Sequence, residues 1–207
     1  MLVDTEPLYF ETTRAIFAEY GVVLEQEEFV RHVLNDSKGS WHLFAEHGLG
    51  EDVVSEARAE RDRRYTELCG QADRVSERVL EDAEALAEHV AMAIVTSAHR
   101  VHFDAIYAGP NGQRLLRCMR FVLVREDYGQ SKPEPEPYLK ALELMGAPRD
   151  TCLVVEDSRR GARAAEAAGI ECWVVPSVLT DSEAPWPAAR VLGSVHEVRD
   201  LVLGRSH

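Results

Sequence analysis

Residues 151–175 read TCLVVEDSRRGARAAEAAGIECWVV, and their pattern decides the fold. Four apolar residues, Cys152 to Val155, stop abruptly at Glu156, Asp157 and Ser158. An alanine-rich stretch follows and closes at Gly169, as a short helix with a glycine stop would. Ile170 to Val175 are mostly apolar again, and Pro176 ends the run. A strand, a helix and a second strand at this spacing imply parallel strands joined by a right-handed crossover.

Working outward, VAMAIVTS (90–97) reads as another buried strand, and FDAIYAG (103–109) and RFVLVRED (120–127) hold short apolar runs. EPYLKALELMG (136–146) predicts a helix opening behind prolines and closing at Gly146, and VHEVRDLVLG (195–204) a last helix. Before residue 90 the pattern is different. PLYFETTRAIFAEYG, EQEEFVRHVLN, GSWHLFAEHGLG, EDVVSEARAERDRRYTELCG and SERVLEDAEALAEH all read as helices, with no strand pattern between them. The expected fold is α/β: a doubly wound parallel sheet with helices on both faces, formed by residues 1–9 and 80–207. Residues 10–79 are expected to form a helical appendage.

The composition narrows the function. The 207 residues are 45% hydrophobic and 29% charged, enough for a substantial core and unlike a disordered chain. The formal net charge of −13 argues against nucleic acid as a partner, because that needs a basic footprint. No apolar run is long enough to span a membrane, and the N-terminus lacks the pattern of a secretory signal. Cys69, Cys118, Cys152 and Cys172 show no CxxC pairing, so reduced thiols in a cytoplasmic protein are expected.

In open α/β sheets, ligands bind beyond the carboxyl ends of the strands. Two predicted strands end there in polar residues: AIVTS delivers Thr96 and Ser97, and CLVVEDS delivers Glu156, Asp157 and Ser158. Thr96 and Ser97 could be an ordinary strand exit or could hold an anion. Glu156 and Asp157 could cap the following helix, or could share a hard cation such as Mg²⁺, since adjacent carboxylates repel. In SKPEPEPYL (131–139), three prolines stiffen the loop after Lys132, which could be a solvent lysine or a fixed ammonium. Together the pieces describe a phosphate site: hydroxyl and N–H donors, an ammonium and a metal-holding carboxylate pair.

The series VTS (95–97), SKPEPEPYL (131–139) and VVEDSRRGARAAEAAGI (154–170) resembles motifs two, three and four of the haloacid dehalogenase (HAD) superfamily, in its β-phosphoglucomutase-like phosphatase branch. Residues 10–79 resemble the cap domain of that branch. The resemblance implies a Mg²⁺-dependent phosphomonoester hydrolase that acts on a small phosphorylated metabolite through an aspartyl-phosphate. It implies that Thr96 hydrogen-bonds the phosphoryl group with the Ser97 amide, and that Lys132 bridges phosphate and nucleophile. It also implies that Asp157 ligates Mg²⁺, with Glu156 ligating or supporting it. The alternatives are a sugar-phosphate mutase and a catalytically silent protein that binds phosphate ligands or partners.

The first motif departs from the family pattern, D-x-D-G-[TV]-L-x-D-[ST]-E. Only its tail is matched, by Leu2, Val3, Asp4, Thr5 and Glu6. The central first strand, with its nucleophilic and acid/base aspartates, is expected upstream of Met1, as would follow from a misplaced start codon. A slot is therefore expected between the strands ending at Thr96 and Glu156. The stretch VSERVLEDAEAL (75–86) also lacks the Pro-Gly turn frequent in the family.

Overall fold

A computed structural model describes residues 2–35, 38–179, 185–187 and 189–204. Helices fill the first part: α1 (Glu6–Glu19), α2 (Gln26–Phe29) running on as a π-helix (Val30–Asn35), α3 (His42–Glu46), α4 (Glu51–Gly70) and α5 (Glu77–Ala87). The second part alternates: β1 (Met92–Val95), α6 (Arg100–Ile106), α7 (Pro110–Arg117), β2 (Met119–Leu123), α8 (Glu136–Met145), β3 (Leu153–Glu156), α9 (Arg159–Ala168), β4 (Glu171–Val174), β5 (Ala189–Val191) and α10 (Val195–Val202). The chain is thus α/β with parallel strands. FDAIYAG corresponds to most of α6, a helix, and β5 is a strand that the sequence reading lacks.

The strands form two sheets. β1 pairs in parallel with β2, and β3–β4–β5 form a separate parallel sheet. Among the described residues no strand lies between β1 and β3, and no ladder joins them. The sheets are nonetheless linked: Val95 of β1 and Val154 of β3 pack against the same apolar cluster.

The local chemistry of α9 explains how β3 is held. The Ser158 hydroxyl caps the helix by accepting from the Gly161 N–H at 3.1 Å. Gly169 ends it in the left-handed conformation at φ 71°, where glycine avoids the Cβ clash. Four fully buried alanines (162, 164, 165 and 168) let the helix lie close to the sheet.

Two further apolar clusters take in most of the other helices. Phe10, Ile16, Phe17, Phe29 and Phe44 belong to one, and Leu80, Ile94, Phe103 and Leu115 to the other. The long helix α4 serves both: Val54 and Ala57 enter the first, Tyr65 and Cys69 the second. Midway along it, the nearly buried Arg61 guanidinium lies over the rings of Tyr9 (4.7 Å) and Trp41 (5.5 Å).

At the far end of the α/β part, Asp82 of α5 is buried and accepts from His196 Nδ1 (2.9 Å) and Arg199 Nη1 (2.7 Å), both on α10. Removing the carboxylate takes away two charge-assisted hydrogen bonds and leaves the Arg199 guanidinium with Asp200 as its acid partner. Asp82→Ala is expected to cost about 2 kcal/mol, read from the urea midpoint. A midpoint equal to that of the parent would show that apolar packing alone docks α10.

Candidate active site

The carboxyl ends of β1 and β3 meet around one ammonium group. Lys132 is 5% exposed and Glu156 likewise 5%. Lys132 Nζ donates to the Val95 carbonyl at 3.0 Å and to Glu156 Oε1 at 2.5 Å. It also sits 4.7 Å from the Tyr138 ring centre. One cation thereby bridges the last residue of β1 to the last residue of β3. The reading of Lys132 as a solvent lysine in a turn does not hold.

Glu156 is fully engaged. Oε1 also accepts from the Tyr138 hydroxyl at 2.5 Å. Oε2 accepts from the Asp157 N–H (3.2 Å), the Ser158 N–H (3.3 Å) and the Ser158 hydroxyl (3.0 Å). Burial alone would raise its pKa, but the Lys132 charge and these donors outweigh burial and hold it at about 2. The backbone makes room for this carboxylate at Gly161, where a Cβ would lie 2.0 Å from the carboxyl carbon. The pair is not a helix cap of the ordinary kind: the capping group of α9 is Ser158.

Asp157 is half-buried beside Glu156. Burial first and the Glu156 charge second push its pKa up. Excess negative charge of this kind at a hard oxygen donor is what a divalent cation relieves. The oxygen-rich donor set therefore fits Mg²⁺ at Asp157, whereas Glu156 already spends its oxygens on Lys132, Tyr138 and the α9 entrance.

Thr96 and Ser97 follow β1 directly. The Thr96 N–H continues the ladder to the Leu123 carbonyl at 2.9 Å. Its hydroxyl accepts from the Ala98 N–H at 3.1 Å, which leaves its O–H to donate. The Tyr128 hydroxyl donates to the Thr96 carbonyl at 2.8 Å and is hydrogen-bonded to the Ser97 side chain. Thr96 thus directly follows the carbonyl that Lys132 holds at the end of β1, and Glu156 and Asp157 lie at the end of β3.

Sequence reasoning assigns no role to four further residues here. Tyr138 and Gly161 lie inside stretches already singled out, six residues after Lys132 and five after Glu156. Tyr128 carries no signal of its own. Glu6, in the tail of the first motif, hydrogen-bonds the Ser177 hydroxyl beyond β4 and feels the charge of Asp157. Burial is the main cause that raises its pKa to about 7.

Two outcomes follow from these charges. Lys132→Met leaves the Glu156 carboxylate buried without its cation and is expected to cost about 3–5 kcal/mol. Lys132→Met combined with Glu156→Gln should recover much of that loss, as measured by urea unfolding. Equal losses in the single and double variants would refute the pairing. For Glu6, the folded pKa lies above the unfolded one, so its favourable contribution is complete below about pH 4.5 and disappears as pH rises through about 7. Glu6→Gln should therefore gain on the order of 2 kcal/mol over the parent at pH 8 in EDTA, and little at pH 4. A pH-independent difference would show that Glu6 is not so perturbed.

Comparison with known proteins agrees with this fold. The chain is 26% identical to Protein CbbY of Rhodobacter capsulatus over 190 residues, covering 86% of this chain and 82% of the relative. It is 26% identical to the phosphorylated carbohydrates phosphatase of Thermotoga maritima, covering 97% and 83%. The crystal structure of CbbY from Rhodobacter sphaeroides in complex with xylulose-(1,5)bisphosphate superposes with a TM-score of 0.76 at 22% identity, covering 95% of this chain and 91% of that one. The model of the haloacid dehalogenase-like hydrolases matches residues 1–175. The chain belongs to the haloacid dehalogenase-like hydrolase family, and by that membership it is an enzyme of the hydrolase class.

Proposed function

We propose that this protein is a Mg²⁺-dependent phosphomonoester hydrolase that acts on a small phosphorylated metabolite through an aspartyl-phosphate. The observation that carries the reading is the buried Lys132 ammonium, fixed between Glu156 and the carbonyl of Val95, the residue before Thr96. A desolvated cation held at a strand end that continues into Thr96 and Ser97 suits the oxygens of a phosphoryl group. Two relatives support the class: one is named as a phosphatase of phosphorylated carbohydrates, and CbbY was crystallised with a sugar bisphosphate.

In this reading the Thr96 O–H and the Ser97 amide hold phosphoryl oxygens, and Lys132 offsets their charge and that of the attacking carboxylate. Asp157 is the direct ligand of Mg²⁺. Glu156 acts from behind, fixing Lys132 and the start of α9. Bound Mg²⁺ supplies charge neutralisation at the phosphoryl group. The nucleophilic aspartate attacks phosphorus, the ester P–O bond breaks, and the leaving oxygen takes its proton from a second aspartate. Water then cleaves the acyl phosphate and releases inorganic phosphate. Neither aspartate is among the described groups that converge here. Residues 10–79 act as the cap that closes over the substrate. Four free cysteines suit the reducing cytoplasm. Among the described residues no helix is long and apolar enough to cross a membrane.

The test is turnover of p-nitrophenyl phosphate with Mg²⁺, by the 207-residue chain and by a form to which a strand bearing D-x-D-G is added ahead of Leu2. Asp157→Ala and Lys132→Ala should each lower kcat/KM by about 10³-fold, the scale of losing a main electrostatic contact to the transition state. Activity of Asp157→Ala near that of the parent would sink the metal assignment. Robust turnover by the 207-residue chain alone, lost in Lys132→Ala, would place the nucleophile within the chain instead.

A further inference from the structure

We propose that Glu28, His32 and His42 form a binding site for one Zn²⁺ ion, separate from the Lys132–Glu156 centre. Glu28 lies on α2, His32 four residues on in the π-helix, and His42 is the first residue of α3. Glu28 Oε1 stands 3.0 Å from His42 Nε2 and 3.4 Å from His32 Nε2. The ligand atoms of all three residues lie within 4.8 Å of one another. Tetrahedral zinc with bonds of about 2.0–2.1 Å places its ligands about 3.3 Å apart. Two imidazoles and one carboxylate at this spacing are a zinc donor set with one position left for water.

A second observation points the same way. Glu28 Oε1 is buried yet accepts no hydrogen bond, although two imidazole nitrogens stand close to it. Buried carboxylate oxygens ordinarily find a donor. Here the nitrogens stand at bonding distance but misaligned for an N–H to point at the oxygen. Three donors that converge without bonding each other are arranged as for an ion. The rings of His32 and His42 stand edge to face with centroids 5.0 Å apart, so neither blocks the other. Both histidines border a cavity of ≈ 400 Å³ that also touches Trp41 and Glu51, which gives room for the water ligand. The π-helix itself is an uncommon local geometry that recurs at functional sites. The consequence is structural: the ion would tie α2 and its π-helical extension to α3.

The test is calorimetric titration of the chelator-treated whole chain with Zn²⁺, in millimolar Mg²⁺ so that any oxygen-rich site beside Asp157 is occupied. One equivalent is expected, with His42→Ala and His32→Gln each weakening it by about 100-fold. Zn²⁺ should also raise the Tm of the parent and leave that of His42→Ala unmoved. The His42 side chain is 44% exposed, so its loss should not disturb folding. Absence of zinc binding by the parent, or equal binding by His42→Ala, would overturn the site. Neither result bears on phosphatase activity.

Discussion

The ion pair between Lys132 and Glu156 helps to hold the α/β part of this protein together at the candidate site. Each charge alone would be costly at such burial. Each is acceptable because the other is there, and because every remaining polar position on the glutamate is filled. The bridge also does what no backbone ladder among the described residues does, joining the end of β1 to the end of β3. The geometry of the candidate site and part of the cohesion of the two sheets therefore rest on the same few atoms, beside the apolar packing of Val95 and Val154.

The consequences spread outward from that pair. Because Glu156 needs a donor on each side, Tyr138 must come from α8 and Ser158 from the α9 entrance. Because its carboxylate fills the space above α9, position 161 must be glycine. The division of labour between the two acids then follows. Glu156 spends its oxygens on Lys132, Tyr138 and the start of α9, whereas burial and the Glu156 charge push the pKa of Asp157 up.

Much of this was legible in the sequence, for physical reasons. β3, α9 and β4 announce themselves because an apolar run, a small-residue helix and a glycine stop succeed one another without ambiguity. Thr96, Lys132, Glu156 and Asp157 stand out as polar residues at strand ends or in a rigid loop. What stays hidden depends on long-range assembly. β5 is three residues long, too short for any periodic signal. Arg100–Ile106 is too short a helix to reveal its period, so FDAIYAG shows only as an apolar run. The partner of Glu6 lies 171 positions away, and only folding brings it near. Which of the two adjacent acids keeps its oxygens depends on Lys132 and Tyr138, supplied from 24 and 18 positions away.

The helix α4 carries a last consequence. Its first turns are built into one apolar cluster and its final turns into the other, with Arg61 stacked on aromatic rings between them. A rod anchored at both ends couples the two clusters: a break between Ala57 and Tyr65 would disturb the packing of both, and with it the contact of Tyr65 on His102. The helix is in this sense a mechanical linkage, and the two cores share its stiffness.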